Sequence, residues 1–244
     1  MTRILFVGAG GLGCASGLVL AESAAVLPPM SITVIDDDVV SADNLHRQLF
    51  FEDADVGRAK GPRFVERFLD TAHRRGAREV TARDVADRLV PDNARALIAA
   101  HDVVVEGADN FATKFLVADA ARLERKPVIH AGVVRWAGYA LSTGAESRPC
   151  YRCLFEDLPR DQPDTCAIAG VVGPLVALVG ALQAELLIER LIGRATPRLV
   201  HVDALRGGAL RSRPLRARAD CPSCGERASL HEIDASHYVQ PSCA

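Results

Sequence analysis

The sequence has no surplus of either charge: 29 basic residues stand against 31 acidic ones, for a formal net charge of -2. That balance provides no broad field for nucleic acid or an anionic membrane, so neither is expected as a partner and recognition must be local. A secretory start is also missing. Met1-Thr-Arg-Ile-Leu-Phe-Val-Gly8 has no basic leader, long apolar stretch or small-residue cleavage site, and it leads straight into a β-type run. A cytoplasmic location is expected, and there seven cysteines point to metal ligands or reactive thiols rather than a disulfide framework. Long apolar runs are scarce. Ala167 through Leu182 is uncharged, but a membrane span needs about 20 apolar residues. This run contains Pro174 and continues into Gln183, Glu185, Glu189 and Arg190 at helical spacing. It fits a buried helix or one at a subunit interface. The sequence has no internal repeat and no low-complexity linker.

What is present, at 49% apolar content, is enough to bury a substantial core. Short β-branched runs alternate with helical patterns, which predicts an α/β fold: a mostly parallel sheet with helices on both faces. Strands are expected at Ile4–Val7, Ser31–Ile35, Glu79–Ala82, Asp102–Glu106 and Pro127–Val133. Helices are expected at Gly11–Ala25, Lys60–Ala72, Pro91–Ala100 and Asn110–Arg125. After Trp136 the rhythm changes to a more antiparallel region, with strands at Gly138–Thr143 and Val200–Leu210 and a long helix at Gly173–Leu191. Residues 226–244 have little periodicity and are expected to form a loose tail.

Two C-x-x-C pairs interrupt the second region: Cys150 and Cys153 in Pro-Cys-Tyr-Arg-Cys, and Cys221 and Cys224 in Cys-Pro-Ser-Cys-Gly. Each places two thiolates on one tight turn. Four soft sulfur ligands suit tetrahedral zinc and leave no open position for a catalytic water, so the expected metal is structural.

Gly8-Ala-Gly10-Gly11-Leu-Gly13 follows the first strand and opens the first helix, the setting of a Rossmann-like nucleotide turn. Its glycines allow a tight bend, and the helix N-terminus offers unpaired N–H groups to phosphate. Asp36 ends the second strand, where an acidic residue would accept hydrogen bonds from ribose hydroxyls. Beyond it come Asp38, Asn44-Leu-His-Arg47-Gln48 and Lys60. Two cations around a short loop suit a triphosphate better than a nicotinamide pyrophosphate. Gly107-Ala108-Asp109-Asn110 ends a buried strand, and Asp109 there is either a magnesium ligand or the N-cap of the helix starting near Asn110.

Together, Gly8-x-Gly10-Gly11-x-Gly13, Asp36-x-Asp38, Asn44-Leu-x-Arg47-Gln48, Lys60, Asp109-Asn110 and the paired C-x-x-C resemble the MoeB/ThiF family, bacterial relatives of ubiquitin-activating enzymes. The resemblance covers roughly residues 3–225 and includes Cys166-x-x-Ala169-Gly170-Val-x-Gly173-Pro174 and Gln183-Ala-x-Glu185. It implies one adenylating domain over 1–225, with the nucleotide-binding part at about 1–135 and the partner-binding and zinc part at about 136–225. The implied reaction joins the C-terminal carboxylate of a small ubiquitin-like sulfur-carrier protein, usually ending in Gly-Gly, to the α-phosphorus of ATP, with loss of pyrophosphate. By the same resemblance Asp36 holds the ribose, Arg47 and Lys60 the phosphates, Asn44 helps orient them, and Asp109 holds Mg2+. A carboxylate nucleophile is already ionised at neutral pH, so no general base is required.

The resemblance also implies a homodimer and places the stretch Glu156–Thr165 across the partner's extended tail, with Cys166 just beyond it. Cys166 is either a thiol nucleophile, as in some members, or an apolar filler. Cys14 is expected to pack, and Cys243 to be an exposed thiol without a fixed role. Family members commonly begin with an extra helix whose arginine reaches the other subunit's ATP site, whereas this chain starts at the first strand. Another cation, a different dimer or weaker catalysis would follow. With no rhodanese-like domain after the zinc segment, a separate sulfur donor is expected. Three alternatives stay open: an NAD-dependent oxidoreductase, supported only by the glycine turn and Asp36; a relative that binds its partner without catalysis; and adenylation of a small molecule or a nucleic-acid carbonyl.

Overall fold

A computed structural model describes residues 1–158 and 170–239. In chain order the elements are β1 (Thr2–Val7), α1 (Gly11–Ser23), β2 (Met30–Ile35), α2 (Lys60–Arg74), β3 (Val80–Val85), α3 (Pro91–Ala99), β4 (Val103–Glu106), α4 (Phe111–Leu123), β5 (Val128–Val134), β6 (Ala137–Ser142), α5 (Gly173–Leu191), β7 (Arg198–Asp203) and β8 (Arg211–Pro214). The strands form a single eight-stranded sheet in the order β3-β2-β1-β4-β5-β6-β7-β8. Pairing is parallel from β3 through β5 and antiparallel from β5 to β8. The sheet is continuous across residue 135, because β5 and β6 pair directly from Val134↔Ala137 to Ile129↔Ser142.

Burial on both faces explains why the central strands read as unbroken apolar runs: Ile4 to Val7 and Val103 to Val105 are all 3% exposed or less. One face carries α1, α2 and α5 over Ile4, Phe6, Ile32, Val34 and the ring cluster Phe50, Phe64 and Phe68. The other carries α3 and α4 over Leu5, Val7, Ile98, Val104, Leu116 and Val117. The apolar helix α5 is accounted for within the chain: Leu175, Val176, Val179, Leu182, Leu186 and Leu187 are buried, and Leu178 is left partly exposed. Gly180 lets α5 lie close to α1, since a Cβ there would meet the Ala15 Cβ at 2.4 Å.

Two expectations are corrected. The strand expected over Val200–Leu210 is instead the end of β7 and a turn leading into β8. Gly207 and Gly208 both have positive φ, the Asp203 carboxylate accepts from Leu205 N–H, and Gly208 N–H donates to Asp203 C=O. The tail is not loose through Tyr238. Ile233 and Tyr238 pack on the α3/α4 face, and the Tyr238 hydroxyl donates to buried Asp119 at 2.9 Å.

Candidate active site

Strand order reverses between β1 and β4, since the connections from β1 run one way along the sheet and those from β4 the other. At such a switch point the loops splay apart at the strands' C-terminal ends and leave a crevice. A cavity of about 390 Å3 lies there, lined by Gly8, Gly10, Gly11, Asp36, Asp38, Asn44, Arg47, Gln48, Lys60, Asp109 and Asn110. Of the glycines, Gly13 does not line it. Its Cβ would lie 2.2 Å from Gly8 C=O, so it serves the tightness of the turn, while Gly8 supplies the positive φ of +94°. Gly10, where a Cβ would meet nothing within 4 Å, leaves the open approach to the helix N-terminus.

Asp36 follows β2 directly. Its carboxylate accepts from Ala9 N–H at 2.6 Å and Asp38 N–H at 2.9 Å, which ties the glycine turn to the end of β2. Burial raises its pKa above the usual carboxylate value, against those two hydrogen bonds. Lys60 is the first residue of α2, where a cation opposes the helix dipole. Its side chain is 6% exposed and held by the more exposed Asp38 at 2.8 Å. Arg47 donates to Asn44 Oδ1 from the same short turn. Gln48 is buried, and its Oε1 has no hydrogen-bond partner among the described residues.

The choice left open at Asp109 is settled in part: the N-cap of α4 is Asn110, whose Oδ1 accepts from Thr113 N–H at 2.8 Å. Asp109 is therefore not the capping group, and it lines the cavity beside that cap. Sequence reasoning missed Lys114, Tyr139, Phe155 and His201 on the cavity wall. Lys114, Tyr139 and His201 come from elements whose local pattern reads as core or surface, Phe155 comes from the loop after the first cysteine pair, and only the tertiary fold brings them to one wall. Behind the wall lie buried Glu106 and His130, also missed, which form a polar group with Lys114.

The four paired cysteines come together as expected. Their sulfurs all lie within 4.8 Å of one another, with Cys150–Cys153 at 3.9 Å, Cys150–Cys221 at 3.6 Å and Cys153–Cys224 at 3.3 Å. Sulfurs at about 2.3 Å from a tetrahedral zinc would sit about 3.8 Å apart, so the donor set fits a metal such as zinc. Hydrogen bonding among the neighbouring sulfurs raises the Cys150 pKa and lowers that of Cys153. Arg152, inside the first pair, forms a bidentate ion pair with Asp119 of α4 at 2.8 and 2.9 Å and so fastens the cysteine cluster to the sheet's cover. Cys14 is packed as expected: it is fully buried, and desolvation pushes its thiol up to about 12. Cys166, most of Glu156–Thr165 and Cys243 lie outside the described residues. Among the described residues no helix is long and apolar enough to cross a membrane.

Comparison with known proteins identifies the family and the fold. The SAMP-activating enzyme E1 of Haloferax volcanii is 36% identical, over 100% of this chain and 87% of that protein. The adenylyltransferase and sulfurtransferase MOCS3 of Culex quinquefasciatus is 34% identical over 94% of this chain and 51% of its own length, and that of Bos taurus 35% identical over 94% and 50%. The chain thus spans about half the length of these MOCS3 relatives. Among solved structures, Escherichia coli MccB with MccA-N7isoASN superposes with a TM-score of 0.77 at 21% identity, over 92% of this chain and 67% of that one, a likeness of fold. The ThiF family model matches residues 1–224, and the chain belongs to the ThiF family.

Proposed function

We propose that this protein is an ATP-dependent adenylyltransferase that activates the C-terminal glycine carboxylate of a small ubiquitin-like protein. The carrying observation is the single cavity that gathers the glycine turn, Asp36, Arg47, Lys60 and Asp109 at the sheet's switch point and continues onto the β6 side through Gly132, Gly138 and Tyr139. Relatives named as an activating enzyme and as adenylyltransferases support the reaction class.

The chemical difficulty is bringing one anion onto another. A carboxylate oxygen of the partner attacks the α-phosphorus, the bond to the bridging oxygen breaks, and pyrophosphate leaves with its charge. Preorganised cations lower that barrier most. In this reading Lys60 leaves Asp38 for the phosphates, Arg47, steadied by Asn44, and Gln48 complete their cradle, and Asp36 takes the ribose. Asp109 beside Asn110 would hold Mg2+, which supplies charge neutralisation for the departing pyrophosphate. The partner's narrow glycine tail would run along Gly132 and Gly138. The four cysteines would hold zinc in a purely structural role.

Further elements belong to the same proposal: a cytoplasmic homodimer, sulfur delivered to the activated carrier by a separate donor, and a nucleotide-binding part up to about residue 135 followed by a partner-binding part. Attack of a Cys166 thiolate on the acyl-adenylate, with AMP leaving, would be a separate step. A hydroxylamine-sensitive adduct in the wild type and its absence in Cys166→Ala would test it. The proposal as a whole is tested by incubating the protein with ATP, Mg2+ and candidate carriers, and weighing the carrier by mass spectrometry. A carrier that gains AMP, and loses this ability when its last glycine is removed, supports it. ATP binding with no adenylated carrier of any kind would favour a relative that docks without catalysis.

A further inference from the structure

β4 ends on a carboxylate in an unexpected place. Glu106 is fully buried, and a buried carboxylate costs several kcal/mol, order of magnitude, unless charge and hydrogen bonds compensate it. The compensation comes from both ends of the short segment carrying Asp109. Glu106 Oε1 accepts from Ala108 N–H at 2.6 Å, and its two oxygens accept from Lys114 Nζ at 3.1 and 3.0 Å. Ala108 immediately precedes Asp109, while Lys114 lies early in α4, whose cap Asn110 immediately follows it. One carboxylate therefore fastens the chain on either side of Asp109.

The fastening is itself held from behind. His130 Nδ1 lies 3.0 Å from Glu106 Oε2, and beside a carboxylate that nitrogen must carry the proton. Burial lowers the pKa of His130, so it is a neutral donor. Lys114 Nζ also donates to Ala131 C=O at 2.5 Å, and Gln183 Nε2 donates to Glu106 C=O at 2.7 Å. Three neighbouring elements, β4, β5 and α5, thus brace one turn. Glu106 keeps its charge: the desolvation that would raise its pKa is outweighed by Lys114 and His130.

We propose that Glu106 is the positioning residue for Asp109: through Ala108 and Lys114 it fixes the Asp109 carboxylate where the nucleotide-bound cation is held, and so sets the cation affinity of the loaded pocket. This rests on the reading above in assigning Asp109 to the metal. A carboxylate suits the task because it accepts four hydrogen bonds at once, whereas a glutamine oxygen accepts fewer and turns an N–H2 toward one of the donors.

The test is Mn2+ titration of the full chain loaded with a non-hydrolysable ATP analogue, followed by electron paramagnetic resonance, with analogue affinity in EDTA as a parallel measurement. Glu106→Met/Lys114→Met removes both charges together, so no unpaired ion is left buried. Its Mn2+ affinity should fall about 10-fold, equivalent to about 1.4 kcal/mol, beyond any change in its affinity for the analogue in EDTA, which is the reference because Lys114 also lines the cavity. Glu106→Gln, which keeps an oxygen for Ala108 N–H, should fall between this variant and the wild type. Either variant suffices if the other fails to fold. Mn2+ affinity within two-fold of wild type in the double variant, or an equal loss with and without metal, would overturn the proposal. Asp109→Asn separates the two claims. If it leaves Mn2+ binding intact, the metal assignment falls and this proposal with it. If it weakens binding while the double variant does not, only the positioning role is lost.

Discussion

Replacing Arg152 by leucine tests how the cysteine cluster is joined to the rest of the fold. The Arg152 side chain is 8% exposed and that of Asp119 fully buried. Two hydrogen bonds link them, the guanidinium also donates to Glu156 C=O at 2.8 Å, and it lies 4.7 Å from the Phe115 ring centre. The additional pairing to Asp157, which is 76% exposed, adds little. Arg152→Leu would leave the Asp119 carboxylate buried with, among the described residues, only the Tyr238 hydroxyl as a side-chain partner. Breaking one side of a buried pair costs about 3–5 kcal/mol. At a slope of about 3 kcal/mol/M, the urea midpoint followed by circular dichroism should drop by about 1–1.7 M. Arg152→Leu/Asp119→Leu removes both charges and should be less destabilised than the sum of the single variants. A midpoint shift under about 0.3 M for Arg152→Leu, or strict additivity in the double variant, would refute the argument.

Other outcomes follow from the same structure. Exhaustive chelation should release one metal ion per chain, lower the melting temperature and loosen residues 150–153 from 221–224; unchanged melting after verified metal loss would contradict a structural metal. Desolvation lowers the pKa of both His101 and His130 below 6.5, so the unfolded chain binds protons that the folded chain refuses. Stability is then complete above pH 6.5 and falls as pH drops through the window down to the folded pKa values, by about 1.4 kcal/mol per pH unit for each histidine. His130→Asn, which keeps a donor for Glu106, should flatten one of these contributions in denaturation curves taken between pH 7 and pH 5, and an unchanged slope would be the contrary result.

Much of the fold was legible because the central strands of the parallel half are buried on both faces and bounded by a helical period, as at Ile4–Val7 followed by the glycine turn. The cysteine cluster was legible because two turns carry their ligands locally. The turn at Gly207-Gly208 was written in the sequence as a glycine pair, but the apolar residues around it masked the break. The Glu106, Lys114 and His130 group left no local signal. Glu106 reads as the polar end of a strand and Lys114 as the solvent side of a helix. Only the pairing Glu106↔His130 between β4 and β5 brings the histidine to them. The tail was misread for a similar reason, since Tyr238 is anchored by Asp119, a residue distant in sequence.

The most direct test of the central claim is pyrophosphate exchange into ATP, measured with Mg2+ and a ubiquitin-like carrier ending in Gly-Gly, for the wild type, Lys60→Ala and Asp109→Ala. The account predicts exchange that requires the carrier's terminal glycine and falls about 100- to 1,000-fold in either variant, with little change in carrier affinity. Full exchange in both variants, or no exchange in a wild-type protein that binds both ATP and carrier, would contradict it.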